Sequence, residues 1–204
     1  MKLFVTRVCS VALLLMAVMI LGGFPFDPKH ISVLTTLTVG IPSIALAAWA
    51  HAGRSPGGSV TRSLFHFVLP AALTLALAGI AVYVFVAVTT HENVAARAQT
   101  ALTVLSVPCG LLLLPFVEPP TRWWTGGDTF SGDWRPTYLA GGLFLGFVVL
   151  LAVPPLRLFF GLIPLGFETY GVIACIVLVW AIVLRVIWRA RLLERFLGVD
   201  PHAI

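Results

Sequence analysis

Residues 170–188 read YGVIACIVLVWAIVLRVIW, nineteen residues with one charge, Arg185, close to the end. A hydrocarbon layer about 30 Å thick is crossed by about 20 apolar residues wound as a helix. A stretch this long and this apolar is a membrane span, because no surface helix of a soluble domain can hide every face. The same test applied along the chain selects residues 3–22, 31–50, 64–88, 98–117 and 138–160. Backbone groups in lipid must find their partners within the segment, so these are helices and not open strands. The expected fold class is all-α: a polytopic membrane protein, a bundle of six transmembrane helices forming a single domain over residues 1–204, with 189–204 as a tail.

Composition agrees. The chain is 59% hydrophobic and 10% charged, against about 25% charged in an average soluble domain. Its mean hydropathy is +1.03. The outer surface must therefore meet a lipid bilayer. The net charge of +5 does not point to nucleic acid. The basic residues sit singly in loops and gather only in the tail, with no stripe to track a phosphate backbone.

The connections carry turn chemistry. Gly22-Gly23-Phe24-Pro25, Ser55-Pro56-Gly57-Gly58 and Glu118-Pro119-Pro120 separate successive spans, and Gly126-Gly127-Asp128 lies in the longest loop. Gly and Pro stop helices there for steric reasons. With six spans both termini share a side. That side holds ten of the 13 Lys and Arg residues, the other only Lys29, Arg97 and Arg157. The bias of basic residues toward the inside places both termini in the cytoplasm, and a multi-pass plasma-membrane location is expected. The first span is too long, and lacks the A-x-A site, to read as a cleaved leader.

The acidic residues are Asp27, Glu92, Glu118, Asp128, Asp133, Glu168, Glu194 and Asp200, none in the middle of an expected span. Intramembrane carboxylates commonly mark ion sites, so a cation held here must use neutral oxygens or groups from another segment. The second span offers such oxygens at Thr35-Thr36-Leu37-Thr38-Val39-Gly40-Ile41-Pro42. Pro42 lacks an N–H, and its ring displaces the carbonyl of Thr38. Thr35 and Thr38, three apart, are expected on one face, and Gly40 permits local unwinding. Broken membrane helices with freed carbonyls are a recurrent way to hold a cation. The competing reading is a kinked packing helix whose Thr hydroxyls bond back to their own backbone. Thr35, Thr38, Gly40 and Pro42 are the ion-pathway candidates.

Other features have structural readings. Pro70, Pro108, Pro154 and Pro155 kink or end helices. Gly142 and Gly146 form a G-x-x-x-G pair expected to pack within the bundle. Cys9, Cys109 and Cys175 lie in apolar runs and read as buried small side chains. The histidines read as surface or interfacial. His91-Glu92 opens like a zinc-protease motif, but Ala95 stands where the second ligand belongs. No phosphate-binding loop or nucleophile elbow occurs, so no catalytic residue, no metal-ligand set and no cofactor of the chain's own is assigned.

A family resemblance begins at the same motif. Phe24-Pro25-Phe26 followed by Leu34-Thr35-Thr36-Leu37-Thr38-Val39-Gly40-Ile41-Pro42 resembles the approach to, and the body of, the sixth membrane helix of bacterial cation-transporting P-type ATPases. The opening Lys2-Leu-Phe-Val-Thr-Arg is similar to part of their fifth helix. Phe65-His66-Phe67-Val68-Leu69-Pro70-Ala71 resembles the start of the seventh and Ala98-Gln99-Thr100-Ala101 that of the eighth. Val153-Pro154-Pro155-Leu156-Arg157-Leu158-Phe159-Phe160 resembles the end of the ninth. The resemblance implies that the six spans are the last six of ten, and that the chain is a C-terminal membrane fragment beginning at an internal Met.

What the resemblance implies about function follows from what is missing. The phosphorylation motif Asp-Lys-Thr-Gly-Thr, the Thr-Gly-Glu actuator loop and the ATP-binding domain precede the fifth helix in that family and are absent here. The chain would not hydrolyse ATP alone. ATP and magnesium would act only through upstream domains or a partner chain, and the transported cation, a divalent metal included, would pass through the assembled pump. In calcium pumps of the family the residue before the motif glycine is an Asp ligand; here it is Val39, while Thr38 is retained. The alternative is a free-standing six-helix carrier or channel, or a structural membrane subunit. A carrier would be marked by internal twofold symmetry, and no repeat relates residues 1–100 to 101–204.

Overall fold

The computed structural model describes residues 2–20, 26–49, 60–90, 93–117 and 134–189. Among these, every regular element is helical. The charged tail beyond residue 189, the Gly- and Pro-rich turns at 22–25 and 55–58 and the long loop at 118–133 lie outside the described residues.

The first helix, α1, is Lys2–Ile20. The expected second span is divided: α2 is Pro28–Thr35, a π-helical turn covers Thr36–Gly40, and α3 is Ile41–Trp49. Asp27 caps α2, its carboxylate accepting the Lys29 N–H at 2.9 Å, with Pro28 in the first turn where a missing N–H costs nothing. Then come α4 at Val60–Thr89 and α5 at Val94–Val117. The expected fifth span is interrupted at Val153, giving α6 at Arg135–Ala152 and a short α7 at Pro154–Phe159. Two prolines in succession cannot donate into the preceding turn, so the chain turns there. Helix α8 is Phe167–Arg189.

Among the described residues, five segments are long and apolar enough to cross a membrane: Pro28–Trp49, Val68–Thr89, Val94–Phe116, Arg135–Ala152 and Phe167–Ile187. The expected span at 3–22 falls on α1, whose described apolar part is Val8–Ala17. The molecule is a polytopic helical membrane bundle.

Helix α5 is its axis. It packs against α4, α6 and α8 and also meets α1, α2 and the π turn. Leu102, Leu105 and Leu114 are fully enclosed there. In lipid such packing is driven by van der Waals contact and interhelical hydrogen bonds, not by escape from water. One of those bonds joins α8 to α4, where the buried Trp180 indole N–H donates to Thr74 Oγ1 at 3.1 Å. Where α1 crosses α4, Gly79 admits Leu14; a Cβ on that glycine would lie 2.5 Å from Leu14 Cδ2.

Several expectations for individual residues are corrected. Gly142 and Gly146 are exposed and meet nothing within 4 Å, because the face of α6 that carries them turns away from the described bundle. His30 is not at the surface: it is 2% exposed, and its Nε2–H donates to the Gly161 carbonyl at 3.2 Å, since the segment after α7 folds over the start of α2. Gly161 makes that fold with φ +71°, open to glycine without strain. Cys109 is buried as expected, but Cys175 is exposed on α8.

Candidate functional site

The second span is interrupted by a π-helical turn over Thr36–Gly40. At its end the Ile41 N–H bonds to the Thr36 carbonyl, five residues back. Pro42 explains why the irregularity falls here. Without an N–H it cannot serve the carbonyl of Thr38, and its ring pushes that carbonyl aside. The helix relieves the conflict by widening one turn, a device frequent at functional sites.

Widening changes which side chains share a face. A π turn rotates less per residue than an α turn, so residues three apart no longer align. Thr38 turns inward and is 3% exposed, whereas Thr35 is exposed on the outside. The structure therefore does not bring these two candidate hydroxyls together. Gly40 is half-buried with only the Thr35 carbonyl near its missing Cβ, at 3.6 Å, and Pro42 is buried at the start of α3.

Thr38 instead lines a cavity with three hydroxyl residues that do not stand out in the sequence. The cavity, of about 20 Å³, lies between α1, the π turn, α4 and α5; its polar lining is Thr6 and Ser10 from α1, Thr38, and Ser106 from α5, with Gly110 beside them. Leu14, Phe26, Leu34 and Leu75 close the apolar side. Thr6, Ser10 and Ser106 are all at most 6% exposed.

The hydroxyls are not equivalent. Thr38 Oγ1 donates its proton to the Leu34 carbonyl at 2.6 Å, leaving only lone pairs to present. Ser106 Oγ is buried and has no hydrogen-bond partner among the described residues. Gly110 lets the π turn sit directly on α5. A Cβ there would fall 2.7 Å from Thr38 Cγ2 and 2.8 Å from Thr38 Cβ, closer than packed carbons approach.

Among the described residues, no carboxylate lines this cavity and no cluster of His, Cys, Asp and Glu could hold a metal ion. Of the described acids, Asp27 caps α2 and Glu168 is exposed in the first turn of α8. Val39 lines the cavity as well. The site is thus a small chamber of neutral oxygens in an apolar wall.

Comparison with known proteins returns one kind of protein. The chain is 27% identical over 184 residues to the calcium-transporting ATPase CtpE of Mycobacterium bovis, covering 88% of this chain and 21% of that protein. It is 26% identical over 168 residues to the calcium-transporting ATPase CtpE of Mycolicibacterium smegmatis, covering 81% of this chain and 20% of that one. The CtpE protein of Mycobacterium tuberculosis gives 26% over 184 residues. No family model matches, and no solved structure matches. The chain spans about a fifth of the length of the curated relatives it matches, so it is similar to a limited part of each.

Thr6 and Ser10 could have been found in the sequence as hydroxyls four residues apart, and Ser106 and Gly110 repeat that spacing with a glycine. Both pairs occur inside apolar spans, where one turn of spacing aligns two residues on a face. The spacing does not say that the two faces meet.

Proposed function

We propose that this chain is membrane architecture of a cation-transporting P-type ATPase, framing the ion path and bracing the helices that move during transport. The observation that carries the reading is the similarity to calcium-transporting ATPases along 88% of the chain. The broken second span supports it, with a π turn and a buried Thr38 that lines one cavity with hydroxyl residues from two other helices. Thr35, Thr38, Gly40 and Pro42 are the ion-pathway residues in this reading. Thr38 faces the interior, Gly40 and Pro42 break the helix, and Thr35 lies exposed on the outer face. The block would comprise the last six membrane helices, with both termini in the cytoplasm of a plasma-membrane protein. Phosphorylation and ATP binding belong to other domains or a partner chain. Calcium, the cation named for the relatives, is the first to test, and because Val39 offers no charge where the resemblance has an Asp, other metals follow.

The test uses membranes of the source organism. An antibody to the C-terminal tail should detect a product several times larger than 22 kDa, or a 22 kDa chain that co-purifies with a partner bearing the phosphorylation motif. Inverted vesicles should lose ATP-driven cation uptake when this region is deleted, and Thr35→Val with Thr38→Val should lower uptake severalfold. A 22 kDa product with no such partner, and uptake unchanged by the deletion, overturns the reading.

A further inference from the structure

We propose that the cavity between α1, the π turn and α5 is a water-binding site, and that water rather than a metal ion solvates the helix break in this arrangement. The inference stands on the cavity's own chemistry and does not depend on the pump reading. Three observations carry it. First, the volume of about 20 Å³ exceeds the roughly 10–15 Å³ that one water requires. Second, Ser106 Oγ is enclosed, with the residue 6% exposed, lines the cavity and has no partner among the described residues. A buried hydroxyl left without a partner is costly, and in lipid no bulk water relieves it. Third, the lining supplies what a water needs. Ser106 can donate and accept, Thr38 Oγ1 has committed its proton to Leu34 and can accept, and Thr6 and Ser10 add two further oxygens. An ordered water needs about two to four such partners.

Charge decides against an ion. A bare cation in an apolar wall must be repaid for its lost hydration by an opposite charge or by many close oxygens. Hydroxyls alone, with no carboxylate among the described residues of the lining, do not offer this. A neutral dipole asks for far less and fits the donors and acceptors present. Waters of this kind commonly serve the backbone where Pro breaks a membrane helix.

The test is water–methyl magnetisation transfer by NMR on the full chain in lipid bilayers, with Leu, Val and Thr methyls labelled. The expected result is cross-peaks from water to the Val39 and Leu14 methyls, and none to Leu102 or Leu105 methyls in the dry core. In Ser106→Ala, which keeps the space and three hydroxyls, the cross-peaks should remain. In Ser106→Val, which fills the space, they should be lost. Absence of cross-peaks in the wild type means a dry cavity and overturns the proposal. Their loss already in Ser106→Ala means that the Ser106 proton, not a water, relayed the signal, and overturns it too. Saturable shifts of the Thr38 and Val39 methyls on adding sodium, potassium or calcium would assign the site to a cation and likewise overturn it. Should Ser106→Val fail to fold, the wild type and Ser106→Ala decide between these outcomes. A dry cavity would leave the tests of product size and ATP-driven uptake untouched.

Discussion

Helices α5 and α6 are neighbours of similar hydrophobicity with opposite roles. Of the membrane-crossing window of α5, 78% is buried against protein; of that of α6, 11%. Helix α5 carries Thr100, Thr103, Ser106 and Gly110, and each of the three hydroxyl residues is buried. Helix α6 carries Gly141, Gly142 and Gly146, whose missing side chains would meet nothing. The difference teaches that in a membrane protein apolarity does not identify the core. Leu105 at 0% exposure and Leu145 at 65% are the same residue type in two solvents, one protein and one lipid. Small residues likewise mean opposite things: Gly110 is an obligatory near-contact, whereas the G-x-x-x-G pair of α6 faces open space.

The largest expected effect tests that contrast directly. Leu105→Ala should destabilise the bundle toward the lower end of roughly 2–5 kcal/mol, because packing is lost although no water is met. Leu145→Ala should change stability by less than about 0.5 kcal/mol. Unfolding by SDS titration in mixed micelles measures both, and equal losses would break the comparison.

Glycine gives the next test. Gly110→Ala forces Thr38 away from α5 and should cost about 1–3 kcal/mol. Gly142→Ala meets no neighbour and should gain about 0.5–1 kcal/mol from the lower conformational freedom of the unfolded chain. Opposite signs in the same titration would sharpen the contrast; a loss at Gly142 would reveal a partner on α6.

Two hydrogen bonds set the small end of the scale. Trp180→Phe removes the N–H donated to Thr74 and should cost about 0.6–1.5 kcal/mol, typical of an interhelical bond in lipid. Thr100 is the last case. Its Oγ1 donates to the Ala96 carbonyl at 2.9 Å and accepts the Ile163 N–H at 3.2 Å, tying the α7–α8 connection to α5. Thr100→Val should speed hydrogen exchange at the Ile163 amide severalfold, while global stability falls by about 1 kcal/mol or less. An unchanged exchange rate would mean that the connection is held elsewhere, for example by His30 on Gly161.

Much of this architecture is legible in residue order because lipid imposes a one-dimensional rule: each crossing must be a continuous apolar helix. Helices occur within each expected span, the second and fifth divided, and the breaks near Pro42 and Pro154 are visible because a missing N–H acts locally. The candidate site was legible only in part. Thr38, Gly40 and Pro42 stand out within one segment, but Thr35 was grouped with Thr38 on ideal helical spacing, and the π turn separates them. Thr6, Ser10 and Ser106 do not stand out because each is an ordinary hydroxyl in an apolar run.

The sequence by itself determined that this is a helical membrane protein, where its helices run and where the second one must break, because those outcomes follow from local backbone chemistry and the thickness of a bilayer. Only the tertiary structure decided that α5 is the axis and α6 a flank, that His30 lies beneath Gly161, and that Thr38 sits on Gly110 and lines one cavity with Ser106. Those are contacts between segments far apart in the chain. In a protein apolar on every helix, the sequence pattern does not distinguish a face turned to lipid from a face turned to its neighbours.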